Sequence, residues 1–354
     1  MKKFAFIASS LFLSFMICVV SGEWFLRFYD RQKGVTPPYT HNLPETLAVP
    51  NGYFNYDLER NIKVIYDAHA PRPFTINRWG FRSPEYDPVK PKDVFRIFSF
   101  GGSSTFDPYV ADEQSWTALL GKKLSKKLNR KIESINAGRY GYGTSEIVGL
   151  FHHRVLRHQP DLIILYAIFN DSNRQLSPYY SVDDGPQYYG NPLLGFLNKN
   201  SALFAFLDFR LRYVWKTSTL YGKILPTHVY RHPPPPEHHR FIQDQKRQQA
   251  YLRKLFKHNI RTVIHTAKDN HVRVLLVTEM IGKKQYTPSR RLLTEALREI
   301  AREEHVPLLD MQQIAMDSKE EGLLQTYVHL TPKGCEYLSD RLAEAILKNK
   351  LASH

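Results

Sequence analysis

A serine that follows two glycines at the end of an apolar run is placed to do chemistry. In Asp93–Asp107 (DVFRIFSFGGSSTFD), Val94–Phe100 is β-branched and aromatic and is bounded upstream by Pro88 and Pro91. That is the pattern of a buried central strand. Gly101-Gly102 lets the backbone turn sharply without a Cβ clash, and Ser103, Ser104 and Thr105 lead toward a helix. A hydroxyl at the carboxyl end of a strand, where open α/β sheets build their sites, suits the nucleophile of an acyl transfer. It equally suits a strand-ending turn with a helix-capping serine, and the stretch alone leaves both open. Acyl transfer would also need a base for the hydroxyl proton and donors aimed at the developing oxyanion.

Other stretches favour the first reading. Phe100-Gly101-Gly102-Ser103-Ser104-Thr105 resembles the first block, F-G-D-S-x-T, of the SGNH (GDSL-type) esterases, with Gly102 where that family usually has Asp. Asn136-Ala137-Gly138-Arg139-Tyr140-Gly141 is similar to the second block, N-A-x-x-x-G. Phe169-Asn170-Asp171 is similar to the third, G-x-N-D, with Ile168 in place of its Gly, and His329-Leu330-Thr331-Pro332-Lys333-Gly334 to the final H-L-T-x-x-G. Four blocks in one order are a specific match, covering Val94 to the C-terminus. The resemblance implies Ser103 as nucleophile and His329 as its base. It implies oxyanion donors at the Ser103 and Gly141 backbone N–H groups and the Asn170 side chain. The family's third triad member, an Asp three residues before the histidine, is Thr326 here. What remains is a Ser–His dyad, an acid borrowed from Asp310, Asp317 or Glu321, or a ring oriented by a backbone carbonyl.

The elements that must hold these residues read as strand, helix, strand, helix, strand. Trp116, Leu119, Leu120, Leu124 and Leu128 recur at helical spacing. Lys131–Asn136 is a short strand, Ile147, Val148, Phe151, Val155 and Leu156 mark a helix stopped by Pro160, and Leu162–Tyr166 is a strand. Later come a long helix to about Asp269, a strand at Val272–Thr278, a helix at Arg290–Glu304, a strand at Val306–Asp310 and a closing helix at Glu336–Lys348. Alternating βα units predict an α/β fold, a parallel, right-handed doubly wound sheet. Five strands match the flavodoxin-like three-layer αβα sheet that the resemblance implies. Residues 94–354 are thus expected to form the main domain. Residues 31–93 read as an extended segment packed on it, within which Asn77-Arg78-Trp79-Gly80-Phe81-Arg82 is similar to an N-x-x-G-F-R element of anchored bacterial SGNH proteins. Its Asn77 and Arg82 are read as packing rather than site-lining. Residues 175–240, rich in Tyr, Phe and Pro, interrupt the rhythm as an insertion or lid, with short helices at Ser201–Phe209 and Leu211–Leu220.

The chain has 49 Lys+Arg against 34 Asp+Glu, a formal net charge of +15. Such a surface favours anionic envelope polymers or phospholipid headgroups. No zinc-ligand spacing or aromatic RNA-binding signature accompanies it, so no nucleic acid, metal or organic cofactor is expected. Lys2-Lys3 precede the uncharged apolar run Phe4–Val20, extended by Trp24, Phe25 and Phe28. Residues 1–30 read as a single-pass transmembrane signal anchor in the inner or plasma membrane, with the rest on the periplasmic or extracellular side. Ser21 and Gly22 also permit cleavage as a signal peptide. Of two cysteines, Cys18 lies in this run, so Cys335 has no disulfide partner. The expected function is a membrane-anchored serine esterase acting on O-acyl or O-acetyl groups of an envelope glycan or lipid-linked molecule. An O-acyltransferase using the same residues, or a silent glycan-binding envelope protein, are the alternatives.

Overall fold

A computed structural model describes residues 2–32, 48–66 apart from 52, 54 and 59, 72–174, 196–209 apart from 198 and 199, and 245–353. The chain forms two compact units. One comprises residues 1–48, 62–74 and 188–229, the other 49–61, 75–187 and 230–354. The first holds helix α1 (Lys2–Gln32), and short strands at Ala48–Asn51, Asn55–Leu58, Ile62–Tyr66 and Arg72–Ile76 follow it in sequence.

The second unit is built on β1 (Phe95–Gly101), every residue of which is buried. After it come α2 (Ser103–Phe106), α3 (Trp116–Leu128), β2 (Ile132–Asn136), α4 (Thr144–His153), β3 (Leu162–Tyr166) and α5 (Phe169–Arg174). The 3₁₀ turn Val155–His158 separates α4 from β3. Helix α6 (Ala202–Phe209) belongs to the first unit. The second unit resumes with α7 (Gln245–Asp269), β4 (Arg273–Val277), α8 (Pro288–Glu303), β5 (Leu308–Leu309), α9 (Met311–Asp317) and α10 (Pro332–Lys348).

The five strands pair in parallel in the order β2-β1-β3-β4-β5, the flavodoxin-like arrangement. Register sets Ser99 opposite Asn136 and Gly101 opposite Tyr166, so the turns after β1, β2 and β3 emerge side by side. Because the sheet is covered on both faces, its central strand β3 (LIILY) is apolar and buried throughout rather than alternating. On one face Phe95, Ile97, Leu162, Ile164 and Leu275 pack with Trp116, Leu120 and Leu124 of α3 and Leu338, Leu342 and Ile346 of α10. On the other, Phe98 meets Phe81 edge-on at 5.4 Å and Phe100 meets Phe151 at 5.7 Å, while α7 packs against α4 and α8. Each such side chain taken from water contributes about 1.5–3 kcal/mol.

Local chemistry moves three boundaries. The α4 helix ends at His153, and Val155 and Leu156 lie in the 3₁₀ turn. Arg154 leaves helical geometry at φ −127° and Pro160 forces an early reversal into β3. The last strand shrinks to two residues because Pro307 cannot donate to the ladder and Asp310 already caps α9, accepting the Gln313 N–H at 3.2 Å. The closing helix starts at Pro332 rather than Glu336, because Thr331 caps it by accepting the Gly334 N–H at 3.0 Å. The helix expected at Ser201–Phe209 is α6. The one expected at Leu211–Leu220 and the proline run near His232 lie outside the described residues.

Candidate active site

The strand β1 stops at Gly101, and Ser103 opens α2, a single turn ended by Asp107 in left-handed geometry at φ +59°. Being first in that turn, the Ser103 N–H has no partner within the helix. Buried groups grip the turn from several sides. The Arg82 guanidinium donates to the carbonyls of Phe106 (2.6 Å), Asp107 and Val110 (2.6 Å), and pairs with Asp112 at 2.9 Å. The Asn136 amide donates to the Thr105 carbonyl at 2.7 Å, and Asp107 accepts the Trp116 N–H at 3.1 Å. Asn77 folds its own turn instead, accepting the N–H groups of Trp79 and Phe81 at 3.0 Å each. Both residues of that element therefore serve packing, and Arg82 packs against the loop that carries the serine.

The Ser103 Oγ lies 2.8 Å from His329 Nε2. On the other side of the ring, Nδ1 lies 2.8 Å from Thr326 Oγ1, which also accepts the His329 N–H at 3.3 Å. The loop before α10 is closed by its own backbone. Leu324 and Leu330 form an antiparallel bridge, and the Gln325 N–H donates to the His329 carbonyl at 2.8 Å. Tyr109 faces the imidazole with ring centroids 5.0 Å apart. Burial pushes the His329 pKa down to about 4, so the ring is neutral at pH 7 and able to accept a proton. None of the acids near it in sequence reaches it. Asp310 is bound by Arg298 and Thr278, Asp317 accepts from Gln313, and Glu320 and the Glu321 carbonyl meet Lys333. The place of the missing acid is taken by a hydroxyl.

Asn170 and Gly141 come from the turns after β3 and β2. The Asn170 side-chain N–H donates to the Tyr142 carbonyl at 2.9 Å, which ties the two turns together. The amide also lies against Gly102: a Cβ there would stand 2.2 Å from Asn170 Nδ2. An Asp cannot start from position 102 without displacing that amide. This accounts for the second glycine of the Gly101-Gly102 pair, and it sets the Asn170 amide beside the residue preceding the nucleophile. Gly141 sits at φ +67°, a conformation that disfavours any side chain. Thus Ser103 and His329 are in hydrogen-bond contact, Asn170 adjoins Gly102, and Gly141 precedes the residue that Asn170 holds.

Glu279, which pattern reading passed over, lies under all of this. It is fully buried at the carboxyl end of β4. Its carboxylate accepts the Ser104 hydroxyl and the N–H groups of Ile168 (2.9 Å) and Phe169 (2.7 Å). One side chain thus fastens the residue after the nucleophile to the residue before Asn170. Burial pushes its pKa up to about 7 against those three hydrogen bonds. The available signal was an acid directly after an apolar strand, at the end where sites form. The buried Phe169 ring stacks on Tyr327 at 5.1 Å, and the Arg290 guanidinium lies 3.9 Å from its centroid. Among the described residues, no three His, Cys, Asp or Glu side chains gather as a metal site.

A hydroxyl in hydrogen-bond contact with a neutral imidazole can carry out acyl transfer. Residues 99–337 match the model of the GDSL-like lipase/acylhydrolase family. Among solved structures, the chain is similar to a lipase/acylhydrolase from Enterococcus faecalis. That match has 15% identity and a TM-score of 0.44, over 72% of this chain and 96% of that one. It is also similar to an acetyl xylan esterase from Geobacillus stearothermophilus, with 15% identity and a TM-score of 0.42 over 73% and 97%. A third is an alpha/beta hydrolase from the metagenome of Lake Arreo, with 12% identity and a TM-score of 0.44 over 71% and 94%. Among curated proteins, none matches. By its sheet order and by the family model that its sequence fits from Ser99 to Tyr337, this chain belongs to the GDSL-like lipase/acylhydrolase family.

Proposed function

We propose that the protein is a serine esterase that removes acyl groups, acetyl foremost, from a cell-envelope glycan or lipid-linked molecule. The single observation that carries this reading is the 2.8 Å contact between Ser103 Oγ and His329 Nε2. In the reactive tautomer Nδ1 carries the proton and donates it to Thr326 Oγ1, leaving Nε2 free to accept from Ser103. Ser103 Oγ attacks the ester carbonyl carbon as its proton passes to Nε2. The carbonyl oxygen takes the negative charge and is stabilised by the Ser103 and Gly141 N–H groups and the Asn170 amide. His329 then gives the proton to the departing alkoxide. Water, deprotonated by the same nitrogen, releases the acid and restores the serine.

The imidazolium formed midway is not met by a carboxylate. Thr326 holds the ring but, as a hydroxyl, can donate or accept, so it fixes the tautomer less firmly and supplies no charge. This reading has a slow but intact catalytic pair. The Tyr109 and Tyr327 rings beside His329 suit an acyl chain or the apolar face of a sugar. The α1 helix supports a membrane location. Its segment Ser9–Tyr29 has a mean hydropathy of 1.6, none of it buried, and is long and apolar enough to cross a bilayer as an anchor or to serve as a signal sequence. Lys2-Lys3 before it favour a cytoplasmic N-terminus and an exported site.

A fluorophosphonate probe should label Ser103 in the intact protein, and a simple acetyl ester should be hydrolysed. In Ser103→Ala both labelling and turnover should vanish, turnover falling by on the order of 10⁴-fold or more. Turnover that survives Ser103→Ala would sink the mechanism. Adding a glycan acceptor to the same assay measures how much acyl group passes to sugar rather than water, which separates a hydrolase from a transferase.

A further inference from the structure

The α1 segment long enough to cross a bilayer contains a charged residue, Glu23, six residues before its end at Tyr29. The carboxylate does not stand alone. It accepts the N–H groups of Ala202 (3.1 Å) and Leu203 (2.8 Å), orphan donors at the start of α6, and the Ser201 hydroxyl (2.8 Å). Arg27, one turn on, pairs with Glu23 at 2.7 Å and donates to the Asn200 carbonyl at 2.8 Å. Leu203 closes on Gly22, where an added Cβ would come within 3.5 Å of it. The first turn of α6 is therefore fastened to α1 about 9 Å, measured along the helix axis, inside the end of the apolar segment.

We infer that α6 is a membrane-embedded element: it lies in the outer interfacial layer of the bilayer, held against α1 by Glu23 and Arg27. Three observations say that lipid covers it. First, α6 reads ALFAFLDF, and Phe196 and Leu207 are 63% and 41% exposed. Second, α6 packs on α1, whose Trp24, Phe25 and Phe28 are exposed in their turn and of the types that settle at a membrane interface. Third, the polar groups at the junction are satisfied within the protein. That satisfaction is optional in water and required where water is scarce. Eight residues extend about 12 Å, too short to span, so α6 lies in the interface rather than across it. Helix α6 then sits in the layer in which a lipid-linked acyl ester would present its head. This inference rests on α1 entering a bilayer.

The test uses the full chain reconstituted in phosphatidylcholine–phosphatidylglycerol vesicles. Cysteines are placed one at a time at Leu13→Cys, Leu207→Cys and Lys319→Cys in a Cys18→Ala background, where the remaining Cys335 is buried, and carry an environment-sensitive fluorophore. Labels at 13 and 207 should be quenched severalfold more by nitroxide-bearing lipids, and less by aqueous iodide, than the label at exposed 319. Adding Glu23→Ala should return position 207 to iodide while 13 stays shielded. If 13 is shielded and 207 behaves like 319, the inference is overturned and the anchor stands. If 13 is also open to iodide, the anchor reading fails and takes the inference with it. Energy transfer between donor- and acceptor-labelled Leu207→Cys copies, with no lipid quenching, would show a second chain covering α6 and would also overturn it.

Discussion

The two halves of the proposed catalytic pair are held in opposite ways. The serine turn is gripped by buried charged and polar side chains from distant parts of the chain: Arg82, Asn136 and Glu279 all reach it. The histidine loop is closed by its own backbone and by the Thr326 hydroxyl three residues away, with no ion pair on the ring. Buried charged hydrogen bonds are strong but collapse if one partner is lost, whereas a neutral local loop is forgiving and weak. The molecule fixes where the nucleophile sits and leaves the base with little electrostatic help.

The largest effect should come on the serine side. On the proposed mechanism Asn170→Ala removes one oxyanion donor, and it should lower kcat for an acetyl ester about 100- to 1,000-fold with little change in KM. A change in KM alone would mean that the amide only binds substrate. On the histidine side, Thr326→Asp should raise turnover about tenfold at pH 8 by stabilising imidazolium and fixing the tautomer. The acid limb of kcat/KM should move up from near pH 4 toward the ordinary histidine value of 6.5. No gain, with the acid limb unmoved, would mean that Thr326 already suffices.

The smallest and sharpest test concerns stability against pH. His329 binds its proton more weakly folded (about 4) than unfolded (6.5), so its contribution to stability grows as pH rises between those values. Glu279 binds its proton more tightly folded (about 7) than unfolded (4.5), so its contribution falls as pH rises across that window. The two slopes oppose. Glu279→Gln removes the second, and denaturant midpoints for that variant should rise from about pH 4 to 6.5 more steeply than for wild type. Parallel curves would mean that Glu279 does not titrate there.

The sheet and the four blocks were legible in the chain because both are local. An apolar run between turn residues names a strand, and a serine after Gly-Gly names a turn. Strand β5 was overestimated because Pro307 and the Asp310 cap act at its two ends, and the 3₁₀ turn at Val155–His158 was read as helix because its apolar spacing fits both. Glu279 stayed hidden because its role depends on bringing Ser104, Ile168 and Phe169 to one point, across more than a hundred residues of sequence. The reason for Gly102 was hidden likewise, since Asn170 fills the space beside it only once the sheet is assembled.

The position of Arg82 bears on where a working fragment of this protein must begin. The family match starts at residue 99 and the first sheet strand at Phe95. A chain cut at either point would keep every residue of the catalytic pair and still strand the carbonyls of Phe106, Asp107 and Val110, which Arg82 caps. It would also lose Ser83, whose hydroxyl accepts the Asn136 N–H at 3.0 Å. The stretch from Asn77 to Ser83 thus supports the serine turn from outside the span of the family match.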